Sequence, residues 1–155
     1  MSVTADRDPQ PQHVDRVVMR EIQLPLVAPF RSAGGVVDAR RVILLELRDG
    51  SGAVAWSECV AESLPAYSPE TVDTAWLAIG EWLAPRLVRS GAVHHRSVHA
   101  LLGAGVRGHR MARASLEMGV WALAAARLNS SLAALVAGES RASSPGQLVE
   151  PRSSV

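Results

Sequence analysis

The sequence contains no lysine, because all 16 of its basic side chains are arginine. The chain therefore has no Schiff-base lysine, no lysine general base and no P-loop lysine. Cys59 is the single cysteine, so an internal disulfide is excluded and a cytoplasmic location is the expectation. Whatever chemistry these residues take part in, amine catalysis and disulfide exchange within the chain are not part of it.

The sequence also lacks a strong excess of positive or negative charge and any long apolar run. The formal net charge is +1, which gives no long-range field to attract nucleic acid or an anionic membrane. No apolar run approaches the ~20 residues of a membrane span. The length of 155 residues suits one domain, and a hydrophobic content of 48% is ordinary for a globular core. Residues 1–15 are polar and rich in Pro and Asp, so we predict a disordered segment that is no signal peptide.

The first half of the globular part has the pattern of a β-meander. Strands rich in β-branched residues are predicted at residues 16–24, 40–48 and 53–59. Asp49-Gly50-Ser51-Gly52 is a hairpin signal, since Asp and Gly accept the positive φ that such turns need. Two connecting segments, residues 26–35 and 60–67, are predicted as loops.

The second half has helical periodicity. Ser68 and Pro69 form a helix-start signal, and Pro85 is expected to end or kink that helix. A short helix over residues 95–102, a long one over 107–128 and a piece over 131–136, stopped by Gly138, follow. We predict an α+β fold, a three-stranded antiparallel meander followed by a helical bundle, over residues 16–138. Residues 139–155 form a polar tail that is predicted to be disordered.

The long helix carries two apolar rows where a surface helix carries one. One row is expected to pack on the sheet, which leaves the other without a partner in this chain. The helix would then lie between two bodies, and the isolated protein would self-associate through it. The first row is Ala114, Met118, Trp121, Ala125 and Leu128; the second, the row expected to be open, is Leu116, Val120 and Leu123.

Histidine and cysteine give weak signals for chemistry. His95 and His99 lie one helical turn apart, but Arg96 occupies the place where a metalloprotease helix has Glu, and no third ligand is evident. A solvated helix face is the favoured interpretation, and we predict no metal site. Cys59 follows Glu58 at a strand end, where a small core side chain is more common than a nucleophile.

Arginine clusters leave two interpretations open. Arg40 and Arg41, with Arg31, could bind phosphate or carboxylate, or could be solvated charges at a sheet edge. A second cluster opens the long helix, where cations oppose the helix dipole. A negative group from outside that helix would relieve the repulsion, although a solvated cluster is the simpler explanation. The residues of this second cluster are Arg107, Arg110 and Arg113.

Four stretches resemble the enolase superfamily, in its o-succinylbenzoate synthase and N-acylamino-acid racemase branch. They are residues 24–32 (LPLVAPFRS), 55–60 (AWSECV), 64–68 (LPAYS) and 108–118 (GHRMARASLEM). They occur in the family's order and spacing. The resemblance covers about residues 17–138 and implies an N-terminal capping domain.

In that superfamily the capping domain closes two mobile loops over a separate barrel, which holds the magnesium and the lysines that move an α-proton. The resemblance implies no catalytic residue, metal ligand or cofactor in this chain, and a barrel domain as its partner. It also implies a truncated enzyme of menaquinone biosynthesis or amino-acid racemisation, inactive alone. Gly34 and Glu62 depart from the aromatic and apolar residues usual there, and both positions bear on substrate identity. The substrate-pocket residues implied are Phe30, Arg31, Ser32, Gly34, Glu58, Cys59, Glu62 and Tyr67.

Two other functions are compatible with the same residues. A stand-alone adaptor would bind a partner protein through the exposed face of the long helix. A gene remnant without function would account for the Ser- and Pro-rich tail.

Overall fold

Three antiparallel strands in the order β2-β3-β4 form the sheet on which the helices pack. The computed structural model describes residues 9–32 and 35–142. β2 is Arg16–Ser32, β3 is Gly35–Arg48 and β4 is Val54–Cys59. The Asp49 carboxylate closes the β3–β4 hairpin by accepting hydrogen bonds from the Ser51 and Ala53 amides at 3.0 and 2.9 Å. The predicted meander is confirmed.

The β2–β3 ribbon is longer than predicted. Residues 26–32 belong to β2, where a loop was expected, and Phe30–Ser32 pair with Val37–Gly35. The register shifts between Pro25 and Phe30, because the prolines at 25 and 29 lack the amide protons that a regular ladder needs. The predicted loop is therefore a bulged extension of the hairpin.

The first helical segment begins later and runs further than the sequence suggested. Its parts are α1 (Val72–Leu77), a π-helical stretch (Ala78–Leu83) and α2 (Ala84–Arg89). Thr71 is the N-cap in place of Ser68, since Thr71 and Thr74 form a reciprocal capping box. Pro85 does not end the helical segment, because it lies at the start of α2, where the amide proton that proline lacks is least needed.

Shorter elements lead to the long helix. β5 (Ala92–Val93), a 3₁₀ turn (His95–Ser97) and α3 (Val98–Gly103) precede α4 (Arg110–Arg127). The last described element is α5, Leu132–Ala142. It continues through Gly138, where a stop was predicted, because one glycine costs a helix only ~1 kcal/mol. The predicted helix stop is therefore wrong, and residues 143–155 lie outside the described part.

The predicted disordered segment is wrong at its C-terminal end. β1 (Gln12–His13) pairs antiparallel with β5, and Val14 is fully buried. The Gln12 side-chain amide donates to the Val120 carbonyl at 2.7 Å inside the core. The buried Val14 side chain and the hydrogen bond from the Gln12 amide nitrogen hold this segment in place, while residues 1–8 lie outside the described range.

The two apolar rows of α4 are buried in the reverse of the predicted order. Leu116, Val120 and Leu123 are each 0% exposed and belong to the main core. Met118 of the other row is 45% exposed and Ala114 is exposed, while α5 packs through Leu135 on the C-terminal part of that row. Self-association through the second row therefore has no exposed surface to use.

Close contact between α4 and the sheet depends on Gly119. A Cβ at this position would lie 2.5 Å from Leu47 Cδ1 and 2.9 Å from Ser57 Oγ. Leu47 is fully buried, so it has little room to move away.

We expect Gly119→Ala to destabilise the chain by about 1–3 kcal/mol through overpacking, although alanine favours helix by ~1 kcal/mol. Urea unfolding measures the difference. Ala114→Gly, at an exposed position of the same helix, is the control and reports propensity alone. A more stable Gly119→Ala variant would contradict this packing.

Candidate functional site

The two segments that the resemblance assigns to a substrate pocket emerge from the same end of the sheet. β4 runs antiparallel to β3 and ends at Cys59, opposite Ile43, whereas β3 begins at Gly35. At ~3.3 Å per residue the ribbon reaches roughly 26 Å past the end of β4. The segment after β4, residues 60–71, leaves the sheet beside the base of this ribbon.

The ribbon presents large apolar side chains to solvent. Phe30 is 63% exposed and Val36 is 57% exposed, and Arg31 is also exposed. The Ser32 backbone pairs with Gly35 near the tip. Gly34 lies outside the described residues. Exposed apolar surface of this kind is typical of an interaction face or a ligand-binding surface.

The segment after β4 is a loop with a closed neck. Glu62 and Thr71 form a parallel bridge, and the Val72 amide donates to the Glu62 carbonyl at 2.9 Å. Ala61 at the neck is buried, whereas Leu64 and Tyr67 at the tip are 70% and 86% exposed. Such Ω-type loops hold their ends together and leave their tips available for contacts. Of the remaining predicted pocket residues, Glu58 and Glu62 are exposed.

Two consecutive arginines attach both ends of this loop to the ribbon. The Arg40 guanidinium donates to the Val60 carbonyl at 3.5 Å, at the start of the loop. Arg41 binds Asp73, just after the loop, at 2.6 Å and holds the Glu21 carboxylate of β2 in a two-pronged pair at 2.7 and 3.0 Å. Arg41 is thus occupied by the protein's own carboxylates, which disfavours it as a ligand-binding residue.

Arg41 also sets the acid behaviour of its partners. Its hydrogen bonds lower the pKa of Glu21 and of Asp73 below their ordinary values of 4.5 and 3.8, and both partners raise the pKa of Arg41. A lowered pKa in the folded state means that the stabilisation is complete above the ordinary value and is lost as the pH falls below it.

We therefore expect Arg41→Met to be destabilised at pH 7 and to lose less further stability than the parent on acidification to pH 3. The exposed Arg16→Met is the matched control for removal of one charge. Urea midpoints at both pH values provide the test. Parallel losses in the parent and in Arg41→Met would contradict the role given to this cluster.

Cys59 takes no part in the exposed surface. It is 1% exposed, and burial is the main cause of the raised pKa of its thiol. A raised thiol pKa disfavours the nucleophilic thiolate. This burial confirms the expectation that Cys59 fills the core. It does not support the assignment of the Cys59 side chain to a substrate pocket, which came from the resemblance.

Sequence reasoning missed Glu70, which lies near the end of the loop and is 6% exposed. Its carboxylate accepts hydrogen bonds from the Met111 and Ala112 amides, each at 2.8 Å. These amides lie in the first turn of α4, where a helix has unpaired donors and a positive dipole end. Glu70 is therefore the negative group from outside the helix that relieves the repulsion between the arginines at the start of α4 and the helix dipole.

The histidines do not form a metal centre. His95 is 1% exposed and meets the Trp121 ring edge-on at 4.4 Å, so a solvated face is wrong for this residue. His99 is exposed and hydrogen-bonds Glu117 at 2.9 Å. Among the described residues, no group of three or more His, Cys, Asp or Glu side chains could hold a metal ion.

Within the same ranges, no single helix is long and apolar enough to cross a membrane. α4 together with residues 132–138 passes on length and composition, but this pair is bent by 94°.

This arrangement matches a known domain. It combines a meander, a long two-stranded ribbon and a necked loop at one end, and helices packed behind the sheet. Residues 15–137 match the family model described as mandelate racemase / muconate lactonizing enzyme, N-terminal domain. This chain belongs to that family. The enolase-like capping fold predicted from the sequence is thereby confirmed.

Among relatives of this N-terminal domain, the o-succinylbenzoate synthase of Geobacillus stearothermophilus is 36% identical over 126 residues, 81% of this chain and 33% of that protein. The N-succinylamino acid racemase of an Amycolatopsis species is 39% identical over 104 residues, 67% of this chain and 28% of that protein. The domain therefore spans about a third of the length of the curated relatives it matches.

Solved structures agree with these sequence matches. A probable mandelate racemase from Alicyclobacillus acidocaldarius is 40% identical, with a TM-score of 0.70 over 77% of this chain and 33% of that one. An enolase superfamily member from Listeria innocua is 29% identical, with a TM-score of 0.76 over 81% of this chain and 33% of that one. Both likenesses are to one third of a larger enzyme.

Proposed function

We propose that this chain is the capping domain of an enzyme of the o-succinylbenzoate synthase and N-acylamino-acid racemase type. The observation that carries the proposal is the exposure of Phe30 and Tyr67 on two segments that leave the sheet at the same end. Aromatic side chains that are exposed at 63% and 86% gain most when another body covers them. A barrel domain that presents a substrate between them is the body we propose.

In this function each projecting segment has its own task. Phe30 and Tyr67 cover the apolar part of the substrate and exclude water from the reacting carbon. Arg31, the next residue along β2, carries an exposed guanidinium, a group suited to a substrate carboxylate. Ser32, Gly34, Glu58 and Glu62 shape the pocket between the segments, and Glu62 at the loop neck places a negative charge there. The Arg40 and Arg41 contacts keep the two segments in register with one another.

The chemistry belongs to the barrel in this proposal. Magnesium is the metal of the superfamily that the chain resembles, but its described acidic and histidine side chains do not fit a metal ion. The sequence has no lysine to take or return a proton. The barrel domain is therefore the proposed partner, on the same polypeptide or on a separate one, and the cytoplasm is the proposed location.

The names of the relatives support a proposal for the substrate class. They are named as a synthase of o-succinylbenzoate and as a racemase of N-succinylamino acids. Both names describe carboxylates with a bulky acyl or aryl group. We propose the same class here, a carboxylate whose apolar part is covered by Phe30 and Tyr67.

The experiment is α-proton exchange in deuterated water. The purified chain, with magnesium and either a succinylbenzoate-type substrate or an N-succinylamino acid, is expected to show exchange no faster than buffer. The Geobacillus relative is the positive control in the same tubes. Exchange by this chain above the buffer rate would show that it carries its own proton-transfer machinery and would refute the proposal.

A further inference from the structure

A groove of about 700 Å³ lies on the helical side of the domain, built from different elements than the two projecting segments. One wall comes from the π-helical stretch and α2, with Trp82, Arg86 and Arg89. The other wall is the connection between α3 and α4, with Leu101, Arg107 and His109. Its volume lies in the range of small-molecule sites, ~300–1,000 Å³.

The arginines of this groove are in two different situations. Arg86 is occupied, since it donates to the Leu101 and Ala104 carbonyls at the end of α3. Arg89 and Arg107 are exposed and make no hydrogen bond or ion pair within residues 9–32 and 35–142. Glu81 is an acidic side chain of the lining, and it does not balance the three arginines, so the groove has a net positive charge. Two unpaired guanidiniums thus line one groove, and an anion bound there would accept charge-assisted hydrogen bonds from them.

The rest of the lining suits a flat apolar group. Trp82 is 45% exposed, and its ring meets the His109 ring edge-on with 5.5 Å between the ring centroids. Leu101 and Val106 complete an apolar side to the groove. An aromatic face next to two guanidiniums is an arrangement that holds a planar anion.

We propose that this groove binds a small organic anion, a phosphate or carboxylate joined to a planar apolar group. Arg89 and Arg107 hold the anionic group from opposite walls, and Trp82 packs against the planar part. This site lies apart from Phe30 and Tyr67, so it stands or falls independently of the proposed function.

The test is a titration of the ¹⁵N-labelled chain, at constant ionic strength, with phenyl phosphate, inorganic phosphate and benzyl alcohol. Phenyl phosphate is expected to bind saturably in the millimolar range and to shift the Trp82 indole and the Arg89 and Arg107 side chains. Inorganic phosphate is expected to shift the two arginines with weaker affinity. Benzyl alcohol, which lacks the charge, is expected not to saturate.

Variants separate the two parts of the site. Arg89→Ala and Arg107→Ala are each expected to weaken phenyl phosphate binding about tenfold, by loss of a charged hydrogen bond. Trp82→Ala is expected to bring phenyl phosphate down to the affinity of inorganic phosphate. Arg16→Ala removes the same charge from an exposed position on β2 and is expected to change nothing.

Three results would overturn the proposal. The first is the absence of saturation up to about 20 mM, a concentration above the expected millimolar range. The second is shifts spread over arginines outside the groove. The third is an equal loss of affinity in Arg16→Ala, which would indicate a general response to charge.

Discussion

The double variant Val120→Ser, Leu123→Asn is expected to lose most of the stability of the folded chain. Both side chains are 0% exposed and pack in the core between α4 and the sheet. Each change removes apolar volume and places a polar group where partners are scarce, at ~2–4 kcal/mol per site. The total of ~4–8 kcal/mol is comparable to the whole stability of a typical domain, ~5–15 kcal/mol.

Urea unfolding followed by circular dichroism measures this loss, and sedimentation reports association. The matched control is Ala114→Ser, Met118→Gln, on the exposed face of the same helix. We expect the control to stay within about 1 kcal/mol of the parent, as surface substitutions do. A folded core variant with improved solubility would mean that the second row is open, as the sequence had suggested, and would contradict this packing.

Glu70→Ala is expected to destabilise the chain by about 2–4 kcal/mol. The substitution removes an acceptor for two amides of the first turn of α4 and leaves those donors buried without a partner. It also removes the negative charge that offsets the helix dipole near Arg110 and Arg113. Helix N-caps are worth ~0.5–2 kcal/mol, and this carboxylate serves two donors from a largely buried position.

Two further variants make this prediction specific. Glu70→Gln keeps one acceptor oxygen of the same shape and is expected to lose roughly half as much free energy as Glu70→Ala. Glu62→Gln, at an exposed position of the same loop, is expected to change stability little. Amide exchange of Met111 and Ala112 should quicken in the Glu70 variants alone. Unchanged exchange at these two amides would contradict the capping role.

Local sequence signals predicted the parts of the fold that depend on neighbours in the chain. The Asp49–Gly52 turn is closed by its own aspartate, so the residues that form it are the residues that signal it. The strands and the long helix were likewise visible from period and composition. The start of α1 was misplaced because Ser68 is a plausible cap on its own, whereas Thr71 has the reciprocal partner Thr74.

Features set by distant contacts were not predictable in the same way. The close approach of Gly119 to Leu47 determines which row of α4 is buried, and these residues are 72 positions apart in the sequence. The small residues Ala112, Ser115 and Gly119 on one face were an available signal of close helix–sheet approach. The Glu70 contact spans 41 and 42 positions, and its signal was the unopposed positive charge at the start of α4.

The candidate site shows the same division. The resemblance placed the two segments, but the ribbon pairing beyond Pro25 and the closed neck at Glu62 depend on tertiary contacts that the sequence does not display. The sequence alone allows two interpretations of Arg40 and Arg41, ligand binding or solvated charges at a sheet edge. The structure gives each a contact within the protein, through Val60 and through Glu21 and Asp73.

We propose that this domain caps a barrel that carries out the chemistry. The most direct measurement joins residues 15–137 of this chain to the barrel of the Geobacillus o-succinylbenzoate synthase, in place of its own N-terminal domain. We predict that the chimera catalyses the magnesium-dependent reaction of that enzyme, and that Phe30→Ala with Tyr67→Ala in the chimera raises KM at least about tenfold without unfolding it. A chimera that folds and binds magnesium but gives no turnover, or one indifferent to both aromatic substitutions, would contradict the claim.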